Sequence, residues 1–588
     1  MPSRFLITTS DERTWKYDRP VLFLGEWCQL YDRESQWSRL NYITAEPYGI
    51  DNDKKSIDYE YVYNQVEILL VEVSEALNKY HDTKHSIRYW RIILGQWLQR
   101  YVSVVFNRWY SIAQAIENYD ILSTSVLNPD KYHLATQDSY AFIWACNDDV
   151  WNHMLYAKIL QYIKLVDIEV LENNCVDENY FIWSKGDTES KILKNFFRDM
   201  TRCFLQKFSR SKDAVIIQSY LPKKEVIKLQ LKLLQVPQSW STPSPKNVDI
   251  NNDIRKKLGL RLDKYSGFEH FVRKIVFDVI PVCYLEGYQS LLSQVDNLSW
   301  PTKPKFIFTA NSFDTDEVFK VWTAHKVEQG FKYYTGQHGN NYGTLKYCSS
   351  ETELVKTSDK FITWGWSNDK LNVVPAFNFK YPMPAKNVLD LEGDLLLIEV
   401  CSPHRLSPWD CYHEFSIYLN DQFRFVELLP ESLKSSLTIR LHSEIKLFKR
   451  SENKIWEEKF PNVKLDYGGN DINKLLSRAR LIVHSYDSTG ILETLSMNRP
   501  TVCFWHEGLS HLNMNAIPYY QQLKDAGILA ETPEHAVELI QSYWDDVSTW
   551  WESDNVQTAR QLFCENFSRS EKQPATFLNK IFQCETGI

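Results

Sequence analysis

The chain has 588 residues, about four times the ~150 that typifies one domain, which excludes a short peptide factor and allows two to four folding units. Lys and Arg total 67 against 75 Asp and Glu, a formal charge of −8 with no basic block to follow a phosphate backbone, so nucleic acid is not expected as a partner. Hydrophobic residues at 44% and charged residues at 24% describe a globular chain rather than a disordered one, and 20 Trp, 33 Tyr and 30 Phe make it unusually aromatic.

The opening MPSRFLITTSDERTW has a short apolar run and no small-residue cleavage site, so it does not read as a secretory signal. Phe5 to Thr8 and Val21 to Leu24 read as strands, the second ending in Gly25-Glu26, which places a carboxylate at a sheet's carboxyl edge. From Tyr59 to Glu117 the period becomes helical, and 150 to 300 is largely helical too, broken by the Pro/Ser loop VPQSWSTPSPKN at 236–247. After Pro304 the rhythm is strand, helix, strand: KFIFTA, DEVFKVWTAHKVEQG, FKYYTGQHG and KFITWGW, which implies parallel strands. Prolines in PAFNFKYPMPAKN mark a boundary, beyond which LLLIEV, SLTIRLH, VKLD, LIVHS and TVCFW alternate with helices. The expected organisation is a first Rossmann-like domain over 1–380 with a helical insertion at about 55–300. A second domain is expected over 386–550, followed by a helical tail at 551–588. The eleven Cys lack CxxC or CxxH spacing, which fits a reducing cytosol, and no run of 18 apolar residues occurs. A cytoplasmic protein, at most peripheral to the membrane, is expected.

In LIVHSYDSTGILETL an apolar strand runs into Ser485, Asp487, Ser488, Thr489 and Gly490 before a helix carrying Glu493. Amides at a helix N-terminus, with hydroxyls and a glycine beside them, suit a phosphate, although capping alone also explains Ser488 and Thr489. SLTIRLHSE ends a strand with Arg440 and His442, at the edge that faces a ligand crevice. YYTGQHGNNYGT places Gln337, His338 and Gly339 at another strand end, where an imidazole is suited to move a proton. The loop matches neither GxGxxG nor GxxxxGK[ST]. Asn311 and Asp314 in TANSFDTDE, and His404 and Arg405 in CSPHR, are further strand-end candidates.

FLGEWC, RYWRIILGQW, GQHGNNYGT and HSYDSTGILETL together resemble a transferase family of bacterial O-antigen and surface-polysaccharide loci, over nearly the whole chain. IRLHS and HSYDSTGILETL followed by NRPTV also resemble GT-B glycosyltransferases that use cytidine-activated donors, such as sialyltransferases and Kdo transferases. The resemblance implies an α/β, GT-B-like fold: two Rossmann-like domains facing across a cleft. It implies transfer of an acidic sugar, Kdo or a nonulosonate, from a CMP-activated donor to a glycan or lipid-linked glycan. His442 would touch the nucleotide, Arg440 would assist with charge, and Ser485, Ser488, Thr489 and Gly490 would hold the phosphate. Glu493 would meet the ribose, and His404 and Arg405 would face the same crevice. Gln337, Gly339, Asn311 and Asp314 would contact sugar, and His338 and Glu26 compete as the base. Neither metal nor cofactor is expected, since no DxD cluster stands in a convincing loop. The alternatives are a CDP-glycerol-type phosphotransferase, which the His-Gly segment and the Ser-rich turn also resemble, and a catalytically silent glycan-binding protein.

Overall fold

The computed structural model describes residues 3–172, 208–383, 392–400, 409, 415–443, 451–506 and 508–583. Fifteen strands among them form three five-stranded sheets. The first holds β1 (Arg4–Ile7), β2 (Val21–Phe23), β3 (Tyr42–Thr44), β4 (Ile121–Leu127) and β5 (Asp167–Leu171) in the order β3-β2-β1-β4-β5. The second holds β6 (Val215–Ile217), β7 (Ile307–Thr309), β8 (Tyr333–Gly336), β9 (Lys360–Thr363) and β10 (Val373–Pro375) in the order β10-β9-β8-β7-β6. The third holds β11 (Asp394–Ile398), β12 (Leu437–Arg440), β13 (Lys464–Asp466), β14 (Ala479–His484) and β15 (Thr501–Cys503) in the order β13-β12-β11-β14-β15. The pairings are parallel, so all strands of a sheet deliver their following loops to one edge.

The α/β class with parallel sheets is the expected one. The stretch 55–300, expected as a helical insertion, nevertheless contains β4, β5 and β6, so the first 380 residues carry two sheets. The physical reason is composition. ILSTSVL sets three consecutive hydroxyl residues between aliphatic pairs, and the edge strand DIEVL is charged, so neither stands out as an apolar run. The helices within this stretch are as expected. Asn52–His81 is capped by Asp51, whose carboxylate accepts from the backbone N–H of Asp53 and Lys54. Ile87–Asn118 is capped by Ser86 and buries Tyr89, Trp90, Trp97 and Tyr101 completely, with Trp109 8% exposed. That stripe is core, and each Val, Leu, Ile or Phe buried beside it contributes roughly 1.5–3 kcal/mol over leaving it in water.

The chain's last helices return to the second sheet: within Pro574–Gln583, Phe582 stacks on Tyr334 at 5.6 Å between ring centroids. Buried residues of the second sheet, the helix Thr489–Ser496 and this terminal segment make one continuous core. That shared core fixes the second and third sheets relative to each other. No helix among the described residues is long and apolar enough to cross a membrane.

Candidate functional site

Register sets the two edges that matter. Thr309 pairs with Thr335 and Gly336 with Ile362, so the loops after β7, β8 and β9 leave the second sheet side by side. Ile398 pairs with both Arg440 and His484, which aligns the ends of β12, β11 and β14 in the third. Ligands of open parallel sheets bind at such carboxyl edges.

After β8, Gln337 is 1% exposed and spends its amide inside the loop. It donates to the Gly339 carbonyl at 2.8 Å and accepts from Trp364 N and Trp366 Nε1, each at 2.9 Å. It braces the loop rather than presenting its amide to a sugar. His338 follows, half-buried among the rings of Tyr220, Phe313 and Tyr342, with Nδ1 3.0 Å from Tyr342 Oη. Burial lowers its pKa to about 4, opposed by Asp314 and reinforced by Arg100 and Lys380, so the ring is neutral at pH 7.

After β14, Ser488 caps the helix Thr489–Ser496, its Oγ accepting from Gly490 N at 3.1 Å. Ser485 is 1% exposed, shares a 2.8 Å bond with Tyr418 Oη and donates to the Ile398 carbonyl at 3.2 Å. A Cβ on Gly490 would lie 2.6 Å from Cε1 of His484, a fully buried ring that burial pushes down to about 3. Gly490→Ala should therefore cost about 1–3 kcal/mol in urea unfolding, the usual scale of overpacking.

The two edges meet here. Asn340 donates from its backbone to Thr489 Oγ1 at 3.0 Å and from Nδ2 to Asp487 Oδ1 at 2.7 Å. Asp487, 3% exposed at its side chain, also accepts from Tyr520 Oη and lies 3.0 Å from His511 Nε2. A Cβ on Gly339 would sit 2.8 Å from Thr489 Oγ1, so the absent side chain is what permits this approach. Lys380, just beyond β10, pairs with Glu493 at 2.6 Å and lies over the Tyr220 ring at 5.7 Å. His338, Lys380, Thr489 and Glu493 thus surround one junction between the sheets.

Several expected residues are engaged elsewhere. Arg440 is ion-paired with Asp466 and donates to the Gly468 carbonyl at 3.1 Å. Asp314 forms a two-pronged pair with Arg100 at 2.7 and 2.9 Å, and the guanidinium holds its carboxyl below the usual range against the opposing effect of burial. Asn311 donates to Gln218 Oε1 at 3.1 Å. Glu26 reaches across to the third sheet, where both its oxygens accept from Ser416, one from the backbone N–H at 3.0 Å and one from the hydroxyl. It caps the first turn of Phe415–Leu428 and stands on a different sheet from His338. Glu493 is held by Lys380, and His442 lies two residues past β12, half-buried, separated from Ser485 by the end of β11. His404 and Arg405 lie outside the described residues.

Lys380, Arg100 and Glu399 are not marked by the sequence pattern. Lys380 hides between prolines read as a boundary, and Arg100 lies in a long helix far from any strand end. Asp487 is named within its motif without a role, and the structure gives it one as the acceptor of Asn340 and Tyr520. Glu399 directly follows β11 and is 4% exposed. Its Oε2 accepts from Trp456 Nε1 at 3.1 Å, its Oε1 has no partner among the described residues, and burial pushes its pKa up to about 8.

A family model described as LIC12162 family transferase matches residues 4–582. No curated protein matches the chain. Solved structures similar to it include MurG of Acinetobacter baumannii, 11% identical over 63% of this chain and 99% of that one, with a TM-score of 0.31. Anabaena Alr3699/HepE, solved with UDP and glucose, is 12% identical over 64% and 100%, with a TM-score of 0.34. WaaG, a glycosyltransferase involved in lipopolysaccharide biosynthesis, is 12% identical over 79% and 100%, with a TM-score of 0.24. At these scores the likeness carries no argument.

Proposed function

As the chain belongs to the LIC12162 transferase family, we propose that it is a GT-B-type glycosyltransferase moving an acidic sugar, Kdo or a nonulosonate, from a CMP-activated donor to a surface glycan. The observation that carries this reading is the junction of His338 and Lys380 on one sheet edge with the helix N-terminus at Ser488–Gly490 on the other. In this reading the donor phosphate lies against that N-terminus, where backbone amides and the helix dipole favour an anion. Thr489 accepts from Asn340 yet keeps its own O–H to donate, and Lys380 supplies a positive charge within the same space. In the same reading the nucleotide meets the end of β12 at Arg440 and His442, with Glu399 after the neighbouring β11.

The leaving CMP takes the electron pair of the anomeric C–O bond as the ring becomes oxocarbenium-like, and the acceptor hydroxyl loses a proton to a base. His338 fits that role better than Glu26. In the tautomer whose Nδ1–H donates to Tyr342 Oη, Nε2 presents its lone pair and makes no hydrogen bond among the described residues. Its pKa of about 4 belongs to the empty site. A phosphate and a sugar carboxylate beside Lys380 would offset the cations that depress it and draw it upward. The donor and the lipid-linked form of the acceptor place the protein in the cytoplasm, peripheral to the inner membrane face.

Product analysis with CMP-Kdo, a CMP-nonulosonate and CDP-glycerol tests the reading. Transfer from a CMP-sugar is expected. Turnover of CDP-glycerol alone would make the protein a phosphotransferase, and glycan binding without any turnover would make it a silent binder.

A further inference from the structure

The segment KKEVIKLQLKLL, which follows β6, has two apolar faces where a surface helix needs one. Leu229 and Leu233 point inward and join the core of the second sheet. Ile227, Leu231 and Leu234, spaced i, i+4 and i+7 along and just past the helix Lys223–Lys232, lie on the other side and are 46%, 56% and 80% exposed. Lys223, Lys224, Lys228 and Lys232 flank this stripe and are all exposed, whereas the helix's one acid, Glu225, is buried and paired with Lys228 at 2.6 Å. Gln235 fixes the far end, donating to the Ala214 carbonyl at 3.0 Å and accepting from its N–H at 2.9 Å, which sets the exposed Arg210 and Lys212 nearby.

The chemistry of this face selects its occupant. The whole chain carries −8, yet here exposed cations stand beside exposed apolar side chains, so the complement is a surface that is anionic outside and apolar within. An anionic lipid layer is both. The isoleucine and leucines enter the acyl boundary, while the lysine stems run along it and leave their ammonium groups among the phosphates. Three side chains on a helix of ten residues fall short of the ~800 Å² per partner that a stable protein interface buries. Against a lipid surface the contact gains from charge as well, since each lysine held near it strengthens attachment about fivefold. The other exposed stripe, Ile57, Ile68 and Val71 of Asn52–His81, shares its face with the exposed Glu60 and Glu75, which an anionic surface repels.

We propose that the outward face of Lys223–Lys232, with Leu234 after it, docks the protein on an anionic lipid bilayer. The helix begins three residues after Tyr220, whose ring lies 6.3 Å from that of His338 and under the ammonium of Lys380. Docking therefore brings the junction of the second and third sheets close to the lipid headgroups. The further step, that a lipid-linked acceptor reaches His338 from that surface, rests on the transferase reading above; the docking itself does not.

Flotation of the full chain with phosphatidylcholine vesicles, with and without phosphatidylglycerol, tests it. The chain should float with the anionic vesicles alone and be released by high salt. Leu231→Ser combined with Leu234→Ser should weaken binding at least about tenfold, and Lys224→Gln and Lys232→Gln about fivefold each. Ile68→Ser, on the acidic stripe, should leave it unchanged. Binding that ignores phosphatidylglycerol, or that the leucine and lysine variants leave as it was, would overturn the proposal. So would a leucine variant whose Tm falls while its vesicle binding holds, since the stripe would then pack on protein, or a wild-type dimer that this variant dissociates, which would give the face to a second copy. A CMP titration of the same samples separates the two readings: flotation without CMP binding removes the donor assignment alone, and CMP binding without flotation removes the docking alone.

Discussion

His338→Ala is expected to lose ~10²–10⁴ in turnover, the usual worth of a general base, while binding CMP as the wild type does. The proposed nucleotide contacts lie on the third sheet and on Lys380, which is why binding should survive. The pH dependence carries a second signature. In the free protein the imidazole is neutral above about pH 4, so kcat/KM should show no acid limb near the ordinary histidine range and should fall only toward pH 4. An acid limb near 6.5 in kcat/KM would mean that another histidine titrates. If Glu26→Gln abolishes transfer and His338→Ala leaves it nearly intact, the base is Glu26, and its bonds to Ser416 open during the reaction.

Glu399→Gln should change the pH dependence of stability more than any other single substitution at the third sheet's edge. The buried carboxyl has its pKa raised from 4.5 to about 8, so between these values the folded chain holds a proton that the unfolded chain releases. Its contribution is present in full below pH 4.5 and is lost as pH rises through 8, at up to about 1.4 kcal/mol per unit. Glutamine does not titrate. Urea unfolding at pH 5 and pH 8 should therefore show the variant gaining on the wild type by several kcal/mol between the two. A difference that does not move with pH would mean that Glu399 is ionised in the folded chain.

The third sheet was legible because its central strands, LLLI and LIVH, are continuous apolar runs, and the turn after β14 was legible from its hydroxyls and Gly490. The first sheet was half-hidden, since β4 carries hydroxyls on the positions that a strand-seeking eye wants apolar. The candidate residues fared according to what local sequence encodes. Strand-end position predicted where His338, Ser488 and Thr489 stand. It did not encode which partners fold back on them. Gln337 bonds Trp364 and Trp366, Asp314 is claimed by Arg100 more than 200 residues earlier in the chain, and Glu26 is claimed by Ser416 about 390 residues later. Pairings of that sequence separation leave no local period. Lys380 and Glu493 illustrate the same point: each is unremarkable alone, and only the meeting of two sheet edges makes them a pair.

The claim that a cytidine nucleotide binds where the second and third sheets meet is tested most directly by thermal unfolding of the wild-type chain with CMP, UMP, GMP and AMP at equal concentration. A ligand that binds only the folded chain raises Tm by an amount that grows with the logarithm of its concentration over its Kd. CMP should raise Tm clearly above the other three. Equal shifts for all four, or none for CMP, would contradict the account.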